Sequence, residues 1–238
     1  VETMRHAGVL EAQAMAALGV RPKWDEGGRL NGVELIPAKL LKRPRVDVVL
    51  SATGLYRDHF PNTMKWLAEA VKLAAAQPEP DNAVRASSEA IRAALAGRGL
   101  SEAKLAAWAD TRIFSGESGS YGTGLNDATL ASDSFASKGK EADAKLANLY
   151  LARMQYAYGP DEKDWGQKLD GVNLYAENLK SVEAALLARS SNLYGMLTTD
   201  DPFQYLGGIG LAERRLGGQE PELYSSVLRG GGRGQEEG

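Results

Sequence analysis

Apolar residues recur along this chain with two different periods, and the switches between them predict its elements. Residues 2–18 carry Met4, Ala7, Val9, Leu10, Ala14 and Leu18 in an amphipathic pattern, which predicts a helix. The short runs 20–24 and 32–36 flank the turn Asp25-Glu-Gly-Gly-Arg29 and predict a β-hairpin. The run Val46-Asp-Val-Val-Leu50 is short and β-branched, so a strand buried on both faces is expected over 45–51. After Pro61 the period becomes helical, with Met64, Leu67, Ala68, Val71, Ala74 and Ala75 on one stripe. Helices are expected over 60–77, 81–97 and 101–109, broken at Gln77-Pro-Glu-Pro80 and Gly97-Arg-Gly99. A short strand over 111–115 follows, then helices over 124–133, 138–157, 172–190 and 201–216. The fold class this predicts is α/β, helix-dominated, with a short sheet and a β-hairpin. Residues 1–228 read as one unit, and 229–238, glycine-rich and polar, as a disordered tail. No internal repeat interrupts the pattern.

Composition removes several function classes. A net charge of -3 with scattered basic residues argues against nucleic acid as the partner. No apolar run approaches the roughly 20 residues that span a bilayer. With no cysteine, the chain has no disulfide scaffold, thiolate zinc site or cysteine nucleophile. It opens Val1-Glu-Thr-Met-Arg without a signal peptide, so the cytoplasm is the expected compartment; the missing start methionine fits an excised piece.

Three clusters carry candidate chemistry. The run Arg112-Ile-Phe-Ser-Gly-Glu-Ser-Gly-Ser-Tyr-Gly-Thr-Gly-Leu125 holds four glycines and three serines between two helical segments. Ordering such a loop costs entropy, and its glycines allow a close backbone approach to a ligand or to another strand. It matches neither Gly-x-Gly-x-x-Gly nor the P-loop, and a structural turn is the plain alternative. The second cluster, Ser51 to Asn62, places Arg57, Asp58 and His59 past the C-terminal end of a strand, the edge where open α/β sheets bind ligands. The plain alternative there is that Asp58 or Asn62 caps the helix and Arg57 pairs with Asp58. The third, Asn192 to Ala212, offers Thr199 or Asp200 as an N-cap and Pro202 in the first turn. Gly207, Gly208 and Gly210 each weaken that helix by roughly 1 kcal/mol, and close packing is expected at two or more of them.

Of the two histidines, His6 reads as a surface or packing residue, and His59 as a metal ligand or proton carrier. No His-x-x-x-His pair exists, and Gly116-Glu-Ser-Gly119 is not the nucleophile elbow of a hydrolase.

The three clusters, in this order, are joined by Gly19-Val-Arg-Pro-Lys-Trp-Asp25, Gly32-Val-Glu-Leu-Ile-Pro37 and Arg43-Pro-Arg-Val-Asp47. Together with Gly54-Leu-Tyr-Arg-Asp-His-Phe-Pro-Asn62, Arg112-Ile-Phe114, Tyr121-Gly-Thr-Gly124 and Asp200-Asp-Pro-Phe-Gln-Tyr205, they resemble the large subunit of aerobic cobaltochelatase, the CobN type, and its relative, the large (H-type) component of magnesium chelatase. The resemblance spans most of residues 8–212 and implies part of a larger multidomain subunit. It implies insertion of a divalent metal, cobalt or magnesium, into a corrin- or porphyrin-type tetrapyrrole. It also implies energy from separate ATPase motor subunits, and no ATP motif occurs here. The third cluster reads Thr199-Asp-Asp-Pro-Phe203, where aspartate-serine-aspartate followed by two aromatics is expected of the cobalt enzyme, so metal and pigment stay open.

Metal insertion needs proton acceptors, anion anchors and stacking groups. Glu117, Asp201 and His59 are the catalytic candidates, with Asp58 and Asp200 as further acceptors. Arg57 and Arg112 are expected to anchor anions, Tyr121, Phe203 and Tyr205 to stack, and the backbone at Gly122 and Gly124 to lie against the macrocycle. Two alternatives stand beside this: a scaffold region that docks ATPase subunits or neighbouring domains, and an unrelated hydrolase built on the Gly116 loop.

Overall fold

The computed structural model describes residues 7–130, 139–189, 202–217 and 221–227. His6, Asp200, Asp201 and the expected tail at 229–238 lie outside them. Helix α1 (Val9–Leu18) ends at Gly19 in the left-handed conformation and leads into a hairpin of β1 (Val20–Trp24) and β2 (Leu30–Leu35). The strands pair antiparallel, Val20 opposite Leu35, and Asp25 Oδ1 accepts from the Arg29 N–H to close the turn. The one-turn helix α2 (Ala38–Leu41) follows.

A three-stranded sheet lies at the centre, ordered β3 (Leu50–Ala52), β4 (Ile113–Ser115), β5 (Tyr156–Ala157). β3 and β4 run parallel, Leu50 opposite Ile113 and Ala52 opposite Ser115, and β5 is antiparallel to β4. The expected strand 45–51 is therefore shortened and shifted. Its partner offers only three residues, so Val46 stays 51% exposed rather than buried on both faces; its N–H donates to the Ala17 carbonyl instead.

The crossover from β3 to β4 contains four helices: α3 (Gly54–His59), α4 (Pro61–Ala75), α5 (Ala83–Leu95) and α6 (Glu102–Ala109). The stripe read from the sequence, Met64, Leu67, Ala68, Val71, Ala74 and Ala75, is buried in the core that α4 shares with α1 and β2. Side-chain caps start three of them: Thr53 Oγ1 accepts from the Tyr56 N–H, Asn82 Oδ1 from Val84 and Arg85, and Ser101 Oγ from Lys104. Each such cap contributes about 1 kcal/mol.

A second core forms around Phe114, Leu125, Tyr150, Met154, Tyr175 and Ala212. It is built by α7 (Leu125–Leu130), α8 (Lys140–Arg153), α9 (Leu174–Leu179) and α10 (Gly208–Leu216). The expected helix 172–190 is in fact α9 followed by the strand β6 (Ala184–Arg189), which pairs parallel with β7 (Glu222–Val227). Pairing with β7 overrides the helical propensity of an Ala-Leu run. The expected helix 201–216 splits into a π-helical segment at Pro202–Gly207 and α10. A Cβ at Gly208 would overlap the Tyr150 ring, so close packing explains that glycine. It does not explain Gly210, whose Cβ would meet open space.

Candidate functional site

The parallel pairing of β3 with β4 brings their C-terminal ends to one edge, and both chains leave it as the segments singled out by sequence. From Ala52 the chain passes through Thr53 into α3, and from Ser115 it enters the glycine-rich loop. The two segments lock together. A Cβ at Gly54 would stand 2.6 Å from the Ser120 carbonyl oxygen and 2.8 Å from the Tyr121 ring, so only glycine fits there. Gly122 (φ 76°) and Gly124 (φ 77°) adopt the left-handed backbone that glycine favours.

Arg57 is the clamp. Only 6% exposed, it donates from Nη1 to the carbonyl oxygens of Gly116 at 3.0 Å and Glu117 at 2.8 Å. Its Nε donates to Asp58 Oδ1 at 2.7 Å, and its guanidinium lies 5.8 Å from the Tyr121 ring centroid. Tyr121, 62% exposed, donates its hydroxyl to Asp58 Oδ2 at 2.7 Å. The Arg57 hydrogen bond, then the one from Tyr121, holds the Asp58 carboxyl below the usual aspartate range. Accepting that bond, Asp58 raises the Tyr121 phenol. An exposed aromatic ring is thus fixed beside a carboxylate that stays ionised.

The far end of the loop rests on the π-helical segment. Gln204 Oε1 accepts from the Thr123 N–H at 3.0 Å, and a Cβ at Gly122 would stand 3.1 Å from the same oxygen. Gly124 faces the Arg153 guanidinium, 3.5 Å from where its Cβ would be. Phe203 is exposed on that segment, and Tyr205 is buried beneath it.

The other expected residues divide between the surface and the interior. Glu117 is exposed in the loop. His59 is exposed at the last turn of α3, its Nδ1 2.9 Å from the Leu55 carbonyl oxygen. Arg57, expected as an anion anchor, has its donors engaged with loop carbonyls and Asp58, so its part is to shape the loop. Arg112 is a clearer correction. It is 1% exposed, pairs with Asp47 at 3.0 Å, and donates to the Ala109 and Thr111 carbonyls and to Ser88 Oγ. It ties the start of β4 to α5 and α6 and reaches no surface ligand. Tyr205, at 8% exposure, likewise packs in the second core and presents no stacking face to solvent.

Sequence reasoning missed two interior features. Ser51 Oγ lies 2.6 Å from the Tyr175 hydroxyl, which lies 3.0 Å from the Tyr150 hydroxyl, forming a chain of three hydroxyls from β3 into the second core. Burial raises both phenols, Tyr175 to about 12. Glu213 of α10 is fully buried, and among the described residues neither carboxyl oxygen has a hydrogen-bond partner. Desolvation pushes its carboxyl up to about 7. Serine and tyrosine this far apart in sequence give no local signal, and Glu213, beside Arg214 and Arg215, reads as surface.

Among the described residues no group of three or more His, Asp or Glu is placed to hold a metal ion. No helix among them is long and apolar enough to cross a membrane.

Residues 1–235 match the family model described as CobN/Magnesium Chelatase. The aerobic cobaltochelatase protein CobN of a Sinorhizobium species is 34% identical over 93% of this chain, and the H-type component of magnesium chelatase from Rhodobacter capsulatus 39% over 92%. The chain spans 17% and 18% of their lengths. A solved structure described as the catalytic subunit of cobaltochelatase from Mycobacterium tuberculosis superposes with a TM-score of 0.76 at 32% identity, over 91% of this chain and 17% of that one. The chain therefore belongs to the CobN/magnesium chelatase family.

Proposed function

We propose that this chain forms part of a tetrapyrrole-binding wall in a metal-chelatase large subunit that inserts a divalent metal, cobalt in the first instance, into a corrin- or porphyrin-type ring. The observation that carries this reading is the Tyr121–Asp58 pair. An exposed phenol ring is held by Arg57 and Gly54 at the sheet edge, beside an ionised carboxylate. Tyr121 offers a stacking face to a flat macrocycle. Asp58, Glu117, His59 and Asp201 are the candidate groups for receiving pyrrole protons or passing the metal. The loop backbone at Gly122 and Gly124 offers close approach to ring substituents. ATP hydrolysis by separate motor subunits supplies the energy.

Fluorescence titration with deuteroporphyrin and with a metal-free corrinoid tests the reading. Tyr121→Ala is expected to weaken binding at least tenfold with unfolding unchanged. Equal affinity in the variant overturns it.

One observation favours a second reading, in which this region docks another part of the chelatase. The two-stranded β6–β7 sheet exposes Leu186, Leu223 and Tyr224, whereas parallel strands are ordinarily covered on both faces. Capture of a motor subunit by a chain that binds neither pigment would favour it.

A further inference from the structure

Glu213 has no evident structural role. It sits on α10 between α8 and α9 with both oxygens buried and, among the described residues, without a hydrogen-bond partner. An apolar residue of similar volume would pack there without the penalty of desolvating a carboxyl. A buried carboxyl with a strongly perturbed titration is a candidate for a functional role.

The core against which α10 packs holds the tyrosines Tyr150 and Tyr175. Tyr175 comes from α9, which packs against α10. Tyr150, from α8, is hydrogen-bonded to Tyr175. On α10 itself the neighbours Arg214 and Arg215 are exposed. Tyr175 also meets Ser51 Oγ at 2.6 Å. Ser51 lies in β3, three residues before Gly54, whose Cα supports Ser120 and Tyr121 of the glycine loop. The hydroxyl chain therefore links β3, at the base of the proposed macrocycle wall, to α8 and α9, the helices that pack against α10.

We infer that Glu213 accepts one of the two protons released by the macrocycle, with Ser51 and Tyr175 as the relay and Tyr150 as the residue that orients Tyr175. The inference rests on the chelatase reading above. A pyrrole N–H bond breaks and its electron pair stays on nitrogen. Ser51 takes that proton while passing its own to Tyr175. Tyr175 in turn passes its own to a Glu213 oxygen. The carboxylate ends as a neutral acid, and both hydroxyls are restored. The last transfer needs Glu213 to turn toward the Tyr175 hydroxyl, or one water between them. An acid that titrates near neutrality can take such a proton and return it to solvent within a catalytic cycle.

The test uses the large subunit containing this chain, its motor partners, deuteroporphyrin or a metal-free corrinoid, and Co2+ or Mg2+. Infrared difference titration is expected to show a carboxylic acid band that titrates near neutral pH and is missing in Glu213→Gln. Glu213→Gln and Tyr175→Phe, each checked for native circular dichroism, are expected to slow insertion at least tenfold with pigment affinity unchanged. Both should also remove the neutral limb of the rate–pH profile. An unchanged rate and profile in either folded variant overturns the acceptor role while leaving the chelatase reading intact. Absence of binding of either pigment by the wild-type subunit overturns both, and so separates the two failures. Should Glu213→Gln fail to fold, Tyr175→Phe, which leaves the carboxyl in place, decides alone.

Discussion

Gly54 and Tyr121 are in contact across the sheet edge, with the Cα of the first against the ring of the second and no room for a methyl group between them. Gly54→Ala must displace either the ring or the Ser120 carbonyl. The expected cost is about 1–3 kcal/mol, as for other overpacked sites. Pigment affinity should fall with it, because Tyr121 loses its place. Urea unfolding and pigment titration on one preparation check both effects.

Arg57 supports the same loop from below. Arg57→Ala leaves the Gly116 carbonyl without a donor, and Arg57→Lys cannot reach both carbonyls and Asp58 at once. A loss of about 2–4 kcal/mol is expected for the alanine variant, with little recovery in the lysine variant. Denaturant midpoints at constant m-value report this, and a change within about 0.5 kcal/mol, the usual surface effect, would make the clamp dispensable.

Asp58 should behave differently. It lies at the surface, so Asp58→Asn is expected to change stability by no more than about 1 kcal/mol while weakening pigment binding. Its folded carboxyl titrates below its unfolded value. The pairing with Arg57 is therefore fully present above the ordinary aspartate range and is lost only as pH falls through the depressed folded value. Stability near neutrality should show no slope from this residue. Thermal melts of wild type and Asp58→Asn across the acid-to-neutral range should be furthest apart near neutrality and converge at the acid end, where Asp58 is protonated.

Glu213 carries the opposite sign. Its folded value, about 7, stands above the ordinary 4.5, so the folded protein binds the extra proton between those values. Stability should fall as pH rises from about 4.5 to about 7, by roughly 3 kcal/mol in all. Glu213→Gln should remove that slope and be the more stable protein at alkaline pH. Parallel slopes in the two proteins would place the carboxyl in contact with water.

The hairpin and the stripe on α4 were legible because their determinants are local. Asp25 and Arg29 close the turn within five residues, and the burial of Met64 to Ala75 follows from period alone. Arg112 was misread because its partner, Asp47, is 65 positions away, and nothing beside an arginine in sequence distinguishes an interior ion pair from an exposed anchor. Ala184-Ala-Leu-Leu-Ala-Arg189 carries the composition of a helix and becomes a strand only by pairing with 222–227. The edge holding Arg57 and Asp58 was legible from the strand-then-helix order. That Arg57 faces inward to the loop carbonyls is tertiary information.

The crossover between β3 and β4 also sets the order in which this chain can acquire structure. Arg57 meets Gly116 across 59 positions, and β3 has no other strand partner among the described residues. During synthesis at about 5–20 residues per second, β3 and Arg57 wait roughly 3–12 s before their partners are made. The hairpin and the crossover helices can fold in that interval, because the α1 and β2 surfaces that α4 packs on precede it in the chain. The parallel pair, and with it the edge proposed to bind the macrocycle, has high contact order and is expected to close last. Substitutions at this edge should therefore act mainly on the unfolding rate and leave the folding rate nearly unchanged.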